Sequence, residues 1–284
     1  MKIIYSAVLL AFLFISCDEI TPPYTEDSDP VVTDTTKKNV LIEYYTGAKC
    51  GNCPPAGKEA VRLEKLYDGK VIFLANHVGV FANTDPAGGK YDYDFKCPVG
   101  QEIDGKYKIS EVGTPQGIIN RTDFNGSVNL SYGTWEAAVN AELEKSAPVK
   151  INLEPSYNNS TNTISLSSEI EYFQKSEEKH YFVVYIVEDS IIRYQKWYGH
   201  DPLDIPDYVH RNTLRSSMNG AWGDQLEAFS SAKGGVIEVV LDYSIPETAD
   251  WVPKNLKLIA VVYNDDDSRS VANVEMVELR DLVE

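Results

Sequence analysis

Apolar and polar positions follow two rhythms along this chain. Up to about residue 147, apolar runs that suit buried strands alternate with segments of helical spacing. Beyond that point the apolar period falls from about 3.6 residues to about 2. The first run, Val40-Leu41-Ile42-Glu43-Tyr44-Tyr45, closes on Thr46-Gly47 and predicts a strand. Ala60, Leu63, Leu66 and Tyr67 then predict a helix over Ala56 to Tyr67, and Val71 to Asn76 predicts a second strand. A Val112-Gly113-Thr114-Pro115 turn leads into the short apolar run ending at Ile119. Trp135, Ala138, Val139, Ala141 and Leu143 make a last helical pattern, which Ala147-Pro148 breaks. After it, Val149, Ile151 and Leu153 alternate with polar residues, as do Ile164, Leu166, Ser168, Ile170 and Tyr172. The turn cluster Asn158-Asn159-Ser160-Thr161-Asn162 joins these two into a hairpin. Tyr181 to Val187, Val236 to Tyr243, Leu256 to Asn264 and Val271 to Leu279 predict further strands. The expectation is an α/β domain over 39–147 followed by an all-β sandwich over 148–284.

The amino end changes the picture. Lys2 precedes an apolar stretch, Ile3 to Ile15, too short to span a bilayer and stopping at Ser16-Cys17-Asp18-Glu19. Residues 1–16 read as a secretory signal. The ending Leu13-Phe14-Ile15-Ser16-Cys17 resembles a bacterial lipobox, with Phe14 where such motifs usually carry Leu. The resemblance makes Cys17 the lipid-attachment residue; an ordinary signal with an incidental cysteine is the alternative. Residues 17–38 are rich in Asp, Glu, Thr and Pro and nearly free of aliphatic side chains, the composition of an acidic linker. A net charge of -17 argues against nucleic acid as a partner, because phosphate binding needs basic patches.

The candidate chemistry lies between the first strand and the first helix. Cys50-Gly51-Asn52-Cys53-Pro54-Pro55 places two cysteines, two residues apart, where a helix opens. A helix N-terminus stabilises a thiolate, and a second cysteine one turn on can displace a partner from a mixed disulfide. Half a zinc site is an alternative, but no second Cys/His pair completes it, and no cofactor is implied. A disulfide that only clasps the helix start is the other alternative. This strand–turn–helix layout resembles a thioredoxin-like redox motif. The resemblance implies that Thr114-Pro115 faces the cysteines with a cis bond and contacts substrate backbone. It also implies a buried acid near Cys53, a place Glu43 occupies with one residue more between acid and cysteine. Lys49 adds a positive neighbour, and His77, at the end of the second strand, is a candidate to tune the thiols. Cys97 is left over, either a resolving thiol or a buried inert one.

The connection from Ile192 to Lys233 carries no periodic element, yet it concentrates Tyr194, Trp197, Tyr198, His200, Tyr208, His210 and Trp222. It reads as a long aromatic loop, either a binding surface or a cover for one end of the sandwich. The strands of the second half resemble an immunoglobulin-like sandwich, without the Cys…Trp…Cys of antibody domains. The whole layout, from lipobox and acidic linker through Thr-Gly-x-x-Cys-x-x-Cys-Pro and Gly-Thr-Pro to the β-rich half, resembles the 28-kDa outer-membrane lipoprotein family. That resemblance implies an outer-membrane lipoprotein, periplasmic or surface-facing, anchored by its N-terminal lipid. The first functional expectation is thiol–disulfide exchange on exported proteins or peptides with thiols, with Cys50 attacking and Cys53 resolving. The second is a non-catalytic binding or adhesive lipoprotein that uses the fold as a scaffold.

Overall fold

The computed structural model describes residues 37–173, 175–176, 178–227 and 234–279. The signal segment, Cys17 and most of the linker lie outside them. Strand β1 (Val40–Thr46) is followed by α1 (Cys53–Leu66), β2 (Val71–His77), α2 (Pro98–Tyr107), α3 (Ile109–Val112), β3 (Gln116–Ile119) and α4 (Trp135–Leu143). β1 and β2 run parallel and β3 pairs antiparallel with β1. Every residue of β1 and β2 is buried, which is why both read as apolar runs and not as alternations. Ala56, Ala60 and Leu63 form the buried stripe of α1, and Pro54 fits its first turn, where a missing N–H costs little.

The later strands are β4 (Val149–Asn158), β5 (Thr163–Tyr172), β6 (His180–Glu188), β7 (Ile191–Lys196), β8 (Asp204–His210) and β9 (Thr213–Ser217). They continue with β10 (Asp224–Gln225), β11 (Val236–Ser244), β12 (Leu256–Asn264) and β13 (Val271–Glu278). The chain is mixed α/β, and its main sheet runs β13-β12-β6-β9-β2-β1-β3, with β10 on β6. A second sheet, β11-β5-β4, lies over β6 and β12, burying Ile164, Leu166 and Ile170 against Val184, Ile186 and Leu258. β7 and β8 form a separate hairpin.

Two expectations are corrected here. The break at Ala147-Pro148 does not separate two bodies: the described residues form one compact unit. β9 runs beside β2 in parallel, with Ala75 opposite Thr213, so strands from both halves share one sheet. On one face of that sheet a single core joins Leu41, Tyr45, Ile72 and Leu74 to Tyr185, Val187, Ile259 and Val261. The reason is the strand pattern. β1, β2, β6 and β12 are buried along nearly their whole length on both faces, so neither half can close its own core. The second correction concerns the aromatic loop, which contains β7, β8, β9 and β10. Tyr198-Gly199-His200-Asp201-Pro202 is the turn between β7 and β8, with Gly199 at φ 77°.

One charged group ties the halves together. Arg121, just past β3, is fully buried and donates two hydrogen bonds to Glu43 of β1, at 3.1 and 2.8 Å, and one to the Tyr185 hydroxyl of β6 at 2.9 Å. The rings of Tyr107, Trp222 and Tyr263 enclose its guanidinium at 6.0, 5.6 and 5.5 Å. Burial works against the charge, but the Glu43 carboxylate and the surrounding phenols outweigh it and hold Arg121 protonated. Arg121→Met leaves Glu43 as an uncompensated buried charge and is expected to lower the unfolding free energy by about 3–5 kcal/mol. Adding Glu43→Leu should recover most of that loss. Urea denaturation followed by far-UV and near-UV signals checks both, and a wild-type unfolding in two separate steps would contradict the shared core.

Candidate functional site

The turn after β1 is held by backbone contacts. Cys50 donates its N–H to the Gly47 carbonyl at 2.9 Å, and Lys49 donates to Phe81 at 3.0 Å. A Cβ on Gly47 would stand 2.5 Å from the Phe81 carbonyl carbon, so glycine is required by this close approach. Cys50 and Cys53 form a disulfide at the opening of α1, with the S–S distance at 2.07 Å. Asn52 caps the helix without a side-chain hydrogen bond. The Thr114–Pro115 peptide bond is cis, and the Cys50 Sγ lies 3.5 Å from the Thr114 carbonyl oxygen. The structure thus brings Cys50, Cys53, Thr114 and Pro115 into one place.

The other candidates are placed differently. Strand alternation puts Glu43 on the far face of the sheet with Leu41 and Tyr45, where Arg121 takes both of its oxygens. Tyr44, one position on, faces the cysteines instead and donates its hydroxyl to the Cys53 carbonyl at 2.8 Å. Lys49 pairs with Asp85, so its charge is spent on that carboxylate. Cys97 caps α2 on the far side of the sheet, its sulfur accepting the Gly100 N–H at 3.3 Å. Burial pushes its thiol up to about 11, which fits an inert cysteine and not a resolving one. His77 is buried at 2 % exposure between Phe95 and His210, with ring centroids 4.4 and 5.5 Å away.

The β7–β8 hairpin covers the disulfide. Lys196 donates its N–H to Ala48 and Tyr198 donates to Gly51, each at 2.8 Å. The Gln195 amide, itself buried, donates to the Cys50 carbonyl at 3.0 Å. The Tyr198 ring lies on Gly51 so closely that a Cβ there would fall 2.5 Å from it. Under this strap Cys50 is 3 % exposed and Cys53 1 %. The same hairpin, α1 and the carboxyl ends of β1 and β2 line a partly open cavity of ≈ 420 Å³. Sequence reading named the aromatic residues of this stretch but could not place them over the cysteines. The usable signal was the turn at 198–202 between two short β-favouring runs.

The sequence pattern of the family described as outer membrane protein Omp28 matches residues 102–281, more than half of the chain. The chain belongs to this family. Omp28 proteins are outer-membrane lipoproteins, and that is where this chain resides. The matched span begins within α2, downstream of Cys50 and Cys53, and takes in Thr114, Pro115 and the covering hairpin. Among solved structures, one similar to it is a structural-genomics protein of Agrobacterium tumefaciens, 13% identical, with a TM-score of 0.50 over 84% of this chain and 93% of that one. Another is a domain of the outer membrane lipoprotein Omp28 from Porphyromonas gingivalis, 18% identical, with a TM-score of 0.33 over 46% of this chain and 88% of that one. No curated protein sequence matches.

The two buried histidines beside the cavity link stability to pH. Burial, then the neighbouring His210 and Arg215, hold His77 well below the usual histidine range. Burial brings His210 down to about 4 from an ordinary value of 6.5. The unfolded chain therefore binds these protons first. Their contribution to stability is full above about pH 6.5 and falls as the pH drops towards about 4, with His210 alone accounting for about 3 kcal/mol. Denaturation midpoints measured between pH 7 and pH 4 should show this loss, and His210→Phe should make the profile flatter.

Proposed function

We infer that this outer-membrane lipoprotein carries out thiol–disulfide exchange on exported proteins or peptides, through Cys50 and Cys53. The observation that carries this reading is the juxtaposition of the pair, at the opening of α1, with the Thr114–Pro115 turn at 3.5 Å. The order β1-α1-β2, then β3-α4, supports a thioredoxin-like reading of 39–147, and the two facing β layers support an immunoglobulin-like reading of 148–284. These two modules share the main sheet. Cys17, outside the described residues, is the proposed point of lipid attachment.

In the exchange, a thiolate of a partner dithiol attacks the Cys50 sulfur, and Cys53 leaves as thiolate at the helix start, where the backbone dipole favours its charge. The second partner thiolate attacks its own sulfur in the mixed disulfide and expels Cys50. The partner is oxidised by two electrons and the Cys50–Cys53 pair is reduced by two. The reverse sequence reduces a partner disulfide, with Cys50 attacking and Cys53 resolving. Thr114 would hold the partner's extended backbone beside Cys50, through the loop that also carries Pro115.

A second reading, a non-catalytic binding lipoprotein with a structural disulfide, is favoured by one observation: the hairpin leaves only 3 % of Cys50 exposed. Both readings are separated by trapping. In a Cys97→Ala background, Cys53→Ser should accumulate reductant-sensitive covalent adducts with envelope proteins, and Cys50→Ser should accumulate none. Tyr198→Ala should speed reduction of the native disulfide by dithiothreitol about tenfold by loosening the strap. Absence of adducts from Cys53→Ser, even when Tyr198→Ala is added, leaves the scaffold reading. For the anchor, Cys17→Ser should move the chain from the membrane fraction to the soluble one; unmodified Cys17 in the wild-type mature protein, seen by mass spectrometry, would refute lipid attachment.

A further inference from the structure

The cavity beside α1 is separate from the Thr114–Pro115 face of the disulfide. Its floor is the carboxyl end of the parallel strands β1 and β2, the end of an α/β sheet at which ligands commonly sit. Its volume, ≈ 420 Å³, is in the range of small-molecule sites. Tyr44, Phe73, Trp197 and Tyr208 supply aromatic walls. Two of these come from the first strands and two from the hairpin, so the walls exist only when the hairpin is seated. Lys58 and Asp207 line the cavity with opposite charges and Arg211 is paired with Asp189, so the lining favours neither an anion nor a cation.

The decisive feature lies deeper. His77 also lines the cavity, is 2 % exposed, and has no hydrogen-bond partner among the described residues on either ring nitrogen. Nε2 of His210, likewise buried and lining the cavity, has none either. Buried polar atoms are nearly always paired, and each exception calls for an explanation. Stacking on Phe95 fixes the His77 ring but satisfies neither nitrogen. A neutral imidazole offers one donor and one acceptor, and burial keeps this one neutral. A hydroxyl, which donates and accepts, can pair one His77 nitrogen and Nε2 of His210 at once; a carboxylate only accepts and would leave an acceptor nitrogen unpaired.

We propose that this cavity is a binding site for a small uncharged aromatic molecule bearing a hydroxyl group, with the ring between Tyr44, Phe73, Trp197 and Tyr208 and the hydroxyl at His77 and His210. The site does not need the cysteines to react, and it stands or falls apart from the exchange reading.

The probe is 2-naphthol, neutral at pH 7, with naphthalene and 2-naphthoate as comparisons. Calorimetry on the full chain is expected to give one saturable site with Kd below about 100 µM, a reasonable value for a ligand of this size. Naphthalene should bind at least about tenfold more weakly, since it leaves the histidine nitrogens unpaired. Histidine-selective NMR on the unsubstituted protein should show the rings of His77 and His210 shifting on addition of 2-naphthol, while His180, buried against Tyr172, stays in place. His77→Phe should weaken 2-naphthol about tenfold with the melting temperature kept or raised, because it removes the unpaired nitrogens. Gly57→Leu, from the helix wall, should block binding. A Cβ at Gly57 meets nothing closer than the Tyr208 hydroxyl at 3.4 Å, so the added side chain fills the cavity without breaking the helix. No saturable binding, an unmoved His77 ring, or tighter binding of 2-naphthoate than of 2-naphthol would each overturn the proposal.

Discussion

A buried guanidinium needs its charge matched, and the architecture follows from how Glu43, Tyr185 and three rings are brought around Arg121. Its partners come from sequence-distant places: Glu43 from β1, Tyr185 from β6, and rings from the α2 end, the segment before β10, and β12. Desolvation of the charge is offset only when all of these are assembled together. Arg121 therefore acts as a coincidence requirement between the helical half and the β-rich half. The parallel pairing of β2 with β9 and the core common to both halves answer the same need in apolar terms.

That union positions the β7–β8 hairpin. Because β9 is docked beside β2, the hairpin that precedes it must lie near the carboxyl ends of β1 and β2, which is where α1 begins. There it finds the unpaired carbonyls of the Ala48–Gly51 turn and closes over them with Gln195, Lys196 and Tyr198. Two consequences share this one cause. The disulfide is shielded from solvent, and a partly open cavity with aromatic walls forms beside it. A thiol that reaches the disulfide must contend with a hairpin held largely by backbone hydrogen bonds, the kind of element that opens locally without global unfolding.

Much of this was legible from local pattern. β1, α1, β2, α4 and most of the later strands fall where periodicity and turn residues put them, since apolar spacing records which faces are buried. A Cys50–Cys53 pairing was within reach of their spacing, while their nearness to Thr114–Pro115 was what the thioredoxin-like resemblance implied. Glu43 was misread because a position count from the cysteine does not say which face a strand residue occupies; one step along β1 exchanges Glu43 for Tyr44. The hairpin was misread as loop because its strands have exposed or mixed faces and lack a buried-face period.

The sequence by itself determined the local elements, the cysteine pair at a helix start, the acidic composition of residues 17–38 and the membership of an outer-membrane lipoprotein family. These depend on residues near one another in the chain, where steric preference and apolar period act directly. Only the tertiary structure decided that the halves share a sheet, that Arg121 consumes Glu43, that the aromatic hairpin covers the cysteines, and that His77 faces a cavity with both nitrogens unpaired. The first three rest on contacts across scores of residues, and the fourth on the cavity those contacts leave. Demands of buried charge and polar groups over such distances leave no period in the sequence.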